Sequence, residues 1–426
     1  MHPRLIDSFA STDALSEVFS DAAVVRAMLR FETALAETQE RLFLIPSAHA
    51  MIQVDPPDPA TFAWYARQSA SLAIPFVKAL TARVREIDPQ AAGFVHFGAT
   101  SQDVLDTALV LMLRDARQIL TGDHVRLESV LRTLSDRHAG TVMLARTVLQ
   151  PAPPTTFGYK VAGWFGAIHR SWRGLSRAFD EALQLQFGGA AGTLAAYVDR
   201  GPELARELAR ELRLPLPDAP WHAHRDRLAS LLAHCGVYTG SIAKIARDIT
   251  LLMQPEIGEV SERGGGSSAM PNKRNPAGSV VALAAAARVP GLVAAFLAAM
   301  PQELDRAAGG WQSEWPIVAD VIQATGSALA SVADTIAGLT VNPARMRANI
   351  EATHGAVFAE KAVMLLAPKL GREAAQSLVA EALKAKTLRQ GLAHVLTPEQ
   401  LETLASPEDY LGAAETFRRR LLEESA

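Results

Sequence analysis

The densest group of reactive side chains lies in Gly264-Gly-Gly-Ser-Ser-Ala-Met-Pro-Asn-Lys-Arg-Asn-Pro276. Three consecutive glycines make a segment that can swing and close over a ligand. Ser267 and Ser268 carry hydroxyls, and Lys273 and Arg274 bring two cations close behind them. Asn275-Pro276 has the form of a helix start, with Asn at the cap and Pro at the first helical position. A helix N-terminus behind two cations suits a carboxylate or a phosphate. The chemistry on offer is therefore the handling of an anion with a hydroxyl in reach. A solvated glycine loop with an ordinary cap accounts for the same residues, and spacing alone leaves both readings open.

Two more stretches stand ahead of it: His96-Phe-Gly-Ala-Thr-Ser-Gln-Asp103, followed by Asp106-Thr107-Ala108, and Ala145-Arg-Thr-Val-Leu-Gln150, followed by Thr155-Thr156-Phe157-Gly158. In this order, the three resemble the signature regions of the fumarase/aspartase superfamily, which includes argininosuccinate and adenylosuccinate lyases. The similarity runs over roughly residues 1–400. The resemblance implies β-elimination, or its reverse, on a carboxylated carbon chain. It also implies a homotetramer with one core of long helices and active sites assembled from three subunits. Carried over residue by residue, it makes Ser267 the general base, with Lys273 and Asn275 stabilising the aci-carboxylate intermediate. Thr100, Ser101, Thr147 and Gln150 then contact substrate carboxylates. A serine hydroxyl is a poor base unless its alkoxide is stabilised, so the loop has to close and exclude water.

Departures from the pattern narrow the reaction. Amine-eliminating members carry a histidine where Val148 stands, and Arg67-Gln68-Ser69 lies nearest to the N-terminal His-Asp pair of adenylosuccinate lyases. Without those acids, protonating an amine leaving group is hard. Ser71-Leu-Ala-Ile-Pro-Phe-Val-Lys78, Pro220-Trp-His-Ala-His-Arg-Asp226 and Gly309-Gly-Trp-Gln-Ser-Glu-Trp315 resemble the carboxymuconate cycloisomerases of protocatechuate breakdown, which close a tricarboxylate to a lactone. There the leaving group of the reverse reaction is a carboxylate, which needs no strong acid. The expected activity is an intramolecular carboxylate addition followed by carbon protonation, with no cofactor. Arg146, Lys273, Arg274 and Arg306 are expected around the trianionic substrate, and His96 is either a ligand contact or a structural histidine. The alternatives are an argininosuccinate- or adenylosuccinate-type lyase, and a silent tetrameric structural protein of the same fold.

These loops need rigid supports, and the apolar periodicity supplies them. Ser20 caps a helix over 21–41, a second helical zone covers 61–87, and long helices are expected over 103–138, 155–185, 226–253, 276–300 and 314–339. A helix over 103–138 alone would be about 54 Å long. Residues 145–156, rich in proline, read as a loop. Shorter helices follow from about Lys361. The expected fold is all-α in three domains: 1–102, a central long-helix bundle over 103–360 and 361–426. Five helices this apolar cannot hide every face within one chain, so association is expected.

Composition excludes several classes. Lys+Arg 42 against Asp+Glu 45 leaves a net charge of −3 over 426 residues, which argues against a nucleic-acid coat or a polybasic membrane binder. Cys235 is the single cysteine, so no intrachain disulfide or thiolate cluster can form, and it reads as a core residue. His222 and His224 lack a third ligand at metal-site spacing, and Gly188–Thr193 lacks the Lys-Ser/Thr of a phosphate loop. In 277–300 the longest uncharged run, Val289–Gln302, is 14 residues, short of the roughly 20 that span a bilayer, so buried core helix is the expectation there. Residues 1–20 show no apolar leader. A cytoplasmic enzyme with a small tricarboxylate as its partner is the resulting expectation.

Overall fold

The periodic apolar stretches fold as helices close to the expected bounds. The structure, a computed structural model, describes residues 5–61, 63–385 and 387–423. The helix Asp21–Arg41 starts at Ser20, whose hydroxyl accepts a hydrogen bond from the Ala23 amide, and it buries Val25, Met28, Phe31 and Leu35. The five long helices are Ser101–Arg137, Phe157–Ala182, Asp226–Leu252, Ala277–Ala299 and Gly310–Ala337. Short helices from Pro343–Glu351 onward surround an apolar cluster that includes Ile350, Phe358, Leu366, Val379 and Leu392. Strands are confined, among the described residues, to two two-stranded antiparallel ribbons, so the fold is all-α.

Three local readings need correction. The zone 61–87 is two helices, Ala63–Ser69 and Ala73–Ile87, because the chain breaks at Ala70 with φ of 48°. The proline-rich stretch read as a loop is a hairpin, Val142–Thr147 against Gln150–Thr156, with a register irregularity between Leu144 and Ala145. Proline is tolerated on such an edge because a two-stranded ribbon leaves half its amides unpaired. Finally, Ala277–Ala299 is not buried within the single chain: only 28% of its most apolar stretch is covered. It and Gly310–Ala337 are long and apolar enough, by length and composition, to cross a membrane. With apolar residues on all its sides, one neighbouring layer cannot cover Ala277–Ala299.

The chain divides into two compact units, each built from separate segments. The first comprises Met1–Asp123, Ser171–Gly240 and Ala284–Ala330. At its centre the Arg225 guanidinium, with no solvent exposure, lies between two buried carboxylates. It donates to Asp106 at 2.7 and 3.0 Å and to Glu314 at 2.7 and 3.0 Å, under the Trp221 ring. Asp106 also accepts from Trp311 Nε1 and Gln102 Nε2, and Glu314 accepts from Gln302 Nε2. Trp311 therefore packs and anchors at once.

The second unit comprises His124–Arg170, Ser241–Leu283 and Ser331–Ala426. Its buried polar centre is Glu259, which accepts both forks of Arg146 at 2.7 and 3.0 Å and the Asn349 amide at 2.8 Å. This bidentate pair fixes the hairpin strand Val142–Thr147 to the segment that leads into the glycine loop.

Burial pushes the Glu314 carboxyl up to about 7, although Arg225 pulls it down. Between the ordinary carboxylate range and that value the folded state holds a proton that the unfolded state has released. This contribution to stability is therefore lost as pH rises through the window. Glu314→Gln removes the titration. Its melting temperature relative to the wild type should climb from pH 5 to pH 8 in thermal denaturation, whereas a constant difference would place Glu314 in the ordinary range.

Candidate active site

In the first unit, the loop ahead of Ser101–Arg137 is held in an unusual conformation. His96 has φ of 58° and Gly98 φ of 71°, and a Cβ on Gly98 would lie 2.4 Å from the Tyr197 ring. The Phe97 carbonyl accepts from the Tyr197 hydroxyl and, at 2.9 Å, from Gln39 Nε2. The buried Asp103 gathers the rest: its carboxylate accepts from the Thr100, Gly188 and Gly189 amides and from His222 Nε2, at 2.9 to 3.1 Å. The glycine-rich segment at 188–193 is thus a tight turn strapped to the Thr100 loop. His222 is a brace behind it, and Cys235 is buried in its helix.

Arg306 reaches the same loop. It donates to Thr100 Oγ1 at 2.7 Å and to the Ala190 carbonyl at 3.0 Å, and no carboxylate is among its partners in the described residues. A guanidinium held by neutral acceptors keeps its charge available to a ligand. His96, Thr100, Ser101 and Arg306 thus stand together in this unit.

In the second unit, Thr147 and Gln150 face each other across the hairpin end, and both are exposed. The turn between them is Val148-Leu149, with φ of 50° and 64°, the left-handed geometry that two-residue hairpin turns require and that Asn-Gly normally supplies. A β-branched residue there is strained, and Val148 is 95% exposed. Arg146, expected among the substrate cations, faces Glu259 with both forks and braces the hairpin instead.

The glycine loop is closed at its base. The Asn275 amide donates to the Gly265 carbonyl at 2.6 Å, and Asn275 Nδ2 donates to the Gly266 carbonyl at 3.2 Å. Gly265 has φ of 74°, and a Cβ there would lie 1.9 Å from the Asn275 carbonyl oxygen. Ser267 Oγ accepts from the Ala269 and Met270 amides at 3.3 and 3.1 Å, two donors that favour an alkoxide over a hydroxyl. Ser268, Lys273 and Arg274 are exposed.

The helix start behind this loop differs from its sequence reading. The helix begins at Ala277, and its first amides are already bound by Glu262, which accepts from Gly278 at 2.9 Å, from Ser279 at 3.3 Å and from the Ser279 hydroxyl. The helix N-terminus therefore holds an internal carboxylate, and Asn275 closes the loop rather than capping. Glu262 was missed because it lies outside the cap spacing and reaches the amides only through the fold.

Residues 67–291 match the model of a lyase family. A 3-carboxy-cis,cis-muconate cycloisomerase of Bradyrhizobium diazoefficiens is 42% identical over 98% of this chain and 97% of its own length. A nitrosuccinate lyase of Streptomyces davaonensis is 38% identical over 93% and 89%. The crystal structure of the 3-carboxy-cis,cis-muconate lactonizing enzyme of Pseudomonas putida superimposes with a TM-score of 0.94, at 39% identity and 99% coverage of both chains.

The neutral surroundings of Arg306 lead to a kinetic expectation. Arg306→Met should raise KM for a carboxylated substrate about tenfold or more, since hydrogen bonds to charged groups contribute roughly 1.5–3 kcal/mol. Arg306→Lys should recover part of it. An unchanged KM in steady-state kinetics would confine Arg306 to bracing the loop.

Proposed function

The chain belongs to the lyase family of the fumarase/aspartase superfamily, and from that premise we propose that it is a 3-carboxy-cis,cis-muconate cycloisomerase. The observation that carries the reading is the match to such enzymes over nearly the whole of both chains. Val148, standing where amine-eliminating members have a histidine, supports it. Nothing is left at that position to protonate an amine, and a carboxylate leaving group does not need it.

In the forward reaction a substrate carboxylate adds to the double bond. A C–O bond forms, and the displaced π electrons move into the neighbouring carboxylate as an aci-carboxylate. A proton then goes to carbon, which ends the intermediate. Ser267 is the proposed proton carrier: its hydroxyl gives the proton, and the alkoxide left behind is held by the Ala269 and Met270 amides until solvent reprotonates it. Lys273 and Asn275 are the proposed stabilisers of the intermediate, where each donor contributes roughly 10²–10³ in rate. His96, Thr100, Ser101, Thr147, Gln150, Arg274 and Arg306 are the proposed carboxylate contacts, with Arg146 acting through the hairpin it braces.

The proposed assembly is a homotetramer in the cytoplasm. The uncovered helix Ala277–Ala299 supports association, because an apolar surface of that length is rarely left in water. Copies packed through it also provide a means of bringing exposed hairpin tips and glycine loops to shared sites.

A side-by-side spectrophotometric assay with 3-carboxymuconate, fumarate, adenylosuccinate and nitrosuccinate tests the activity. Turnover of 3-carboxymuconate is expected, and Ser267→Ala should lower it by at least about 10² with substrate affinity kept. Activity on one of the other three alone would replace the assignment, and full activity of the variant would move the proton to another group. Shared sites have their own test. Thr147→Ala and Ser267→Ala, each nearly inactive, should recover activity when unfolded and refolded together, because some mixed sites carry neither lesion. A mixture as inactive as its parents, alongside wild type that refolds well, would exclude sharing.

A further inference from the structure

The helix Asp21–Arg41 buries three polar residues, Glu32, Thr38 and Gln39, and two of them reach the loop before Ser101: Glu32 at 1% exposure and Gln39 at none. They are seven residues apart, two turns on one side of the helix. Gln39 holds the Phe97 carbonyl, and Glu32 Oε1 lies 2.6 Å from His96 Nδ1. Two successive residues of the strained loop are therefore gripped from one helix. His96 adopts its left-handed φ of 58°, a strained conformation that persists only where surrounding contacts enforce it. We infer that Glu32 is a positioning residue of this site, holding His96 in place and in its cationic form so that the outer edge of the imidazole meets a substrate carboxylate. The inference rests on the anionic substrate proposed above.

The electrostatics favour this arrangement. The second oxygen of Glu32 has no protein partner among the described residues, and His96 is its sole ion-pair partner there. An ionised carboxylate so deeply buried is costly unless a cation faces it. A Nδ1–H donated to Glu32 fixes the ring so that Nε2 points away, and the His96 side chain remains 18% exposed with no hydrogen bond at that nitrogen among the described residues. Burial alone would lower the His96 pKa, but the charge and hydrogen bond of Glu32, together with the charge of Asp103, leave it raised. The other titratable groups near the loop are the Tyr197 hydroxyl, kept neutral by burial, and His222, which donates to Asp103; Arg306 adds a fixed cation at Thr100. No proton is transferred by His96 in this role.

Because the histidine pKa is raised, the cation is present at low pH and lost as pH rises, and it is lost earlier without Glu32. Glu32→Gln should lower kcat/KM about tenfold near pH 7, mainly through KM, with the deficit shrinking as pH falls and protonation returns unaided. A deficit that does not vary with pH, or no deficit, would overturn the inference. A second measurement needs neither turnover nor that variant: calorimetric binding of tricarballylate, an inert tricarboxylate, between pH 6.5 and 8.5. Wild-type affinity should weaken as pH rises, and His96→Gln should bind about tenfold more weakly at pH 6.5 and lose most of that slope. Equal slopes in the two proteins would refute the role of His96. Wild type that binds tricarballylate with the expected slope yet leaves 3-carboxymuconate unchanged would refute the assigned reaction and leave the Glu32–His96 couple standing.

Discussion

A single enclosed guanidinium organises the first unit. Arg225 cannot reach water, so its guanidinium nitrogens have to find protein acceptors, and two carboxylates from different helices supply one or more to each of the three. Removing Arg225 would leave buried carboxylates without their cation, a loss of roughly 3–5 kcal/mol in comparable pairs. The start of Ser101–Arg137, the start of Asp226–Leu252 and the start of Gly310–Ala337 are thereby tied at one point. Asp103 lies one turn before Asp106, and its own ties reach the Thr100 loop and the glycine turn. The Thr100 loop is consequently an extension of a buried ionic centre and inherits its rigidity.

The second unit follows a different principle. Glu259 fixes the root of the hairpin and Glu262 the root of the helix behind the glycine loop, three residues apart on one segment. The parts beyond those roots are exposed: Thr147 to Gln150 at the hairpin tip, and Ser268, Lys273 and Arg274 on the loop. Anchored bases with free ends suit groups that must come together around a ligand and separate again. The left-handed Val148-Leu149 turn belongs to this pattern, since strain at an exposed tip is maintained only by an enforcing framework.

Three carboxylates serve as internal anions, and they set apart the arginines committed to structure. Arg225 and Arg146 are paired with Asp106, Glu314 and Glu259 in the core, whereas among the described residues Arg306 meets a hydroxyl and carbonyls. Cations committed to structure and cations open to a polyanionic substrate are thus separated by the acceptors beside them. Their positions in the sequence do not distinguish them.

The sequence by itself determined the helices and the chemistry of the loops. Apolar spacing located Asp21–Arg41 with its Ser20 cap and all five long helices, because helical periodicity is a local property. The three ordered motifs identified the family for the same reason: each is a contiguous stretch. Tertiary structure decided whatever depends on a partner distant in the chain. Arg146 and Arg306 look alike in sequence, yet Glu259, 113 residues away, occupies one, and Thr100, 206 residues away, holds the other with its charge open. The hairpin was hidden because its turn is Val148-Leu149 rather than a pair that favours left-handed backbone, and its prolines argue against a strand. Glu32 became a candidate for function only when folding placed His96 against it. Sequence patterns record local preference and composition, whereas the desolvation that decides a charged group's role is set by everything packed around it.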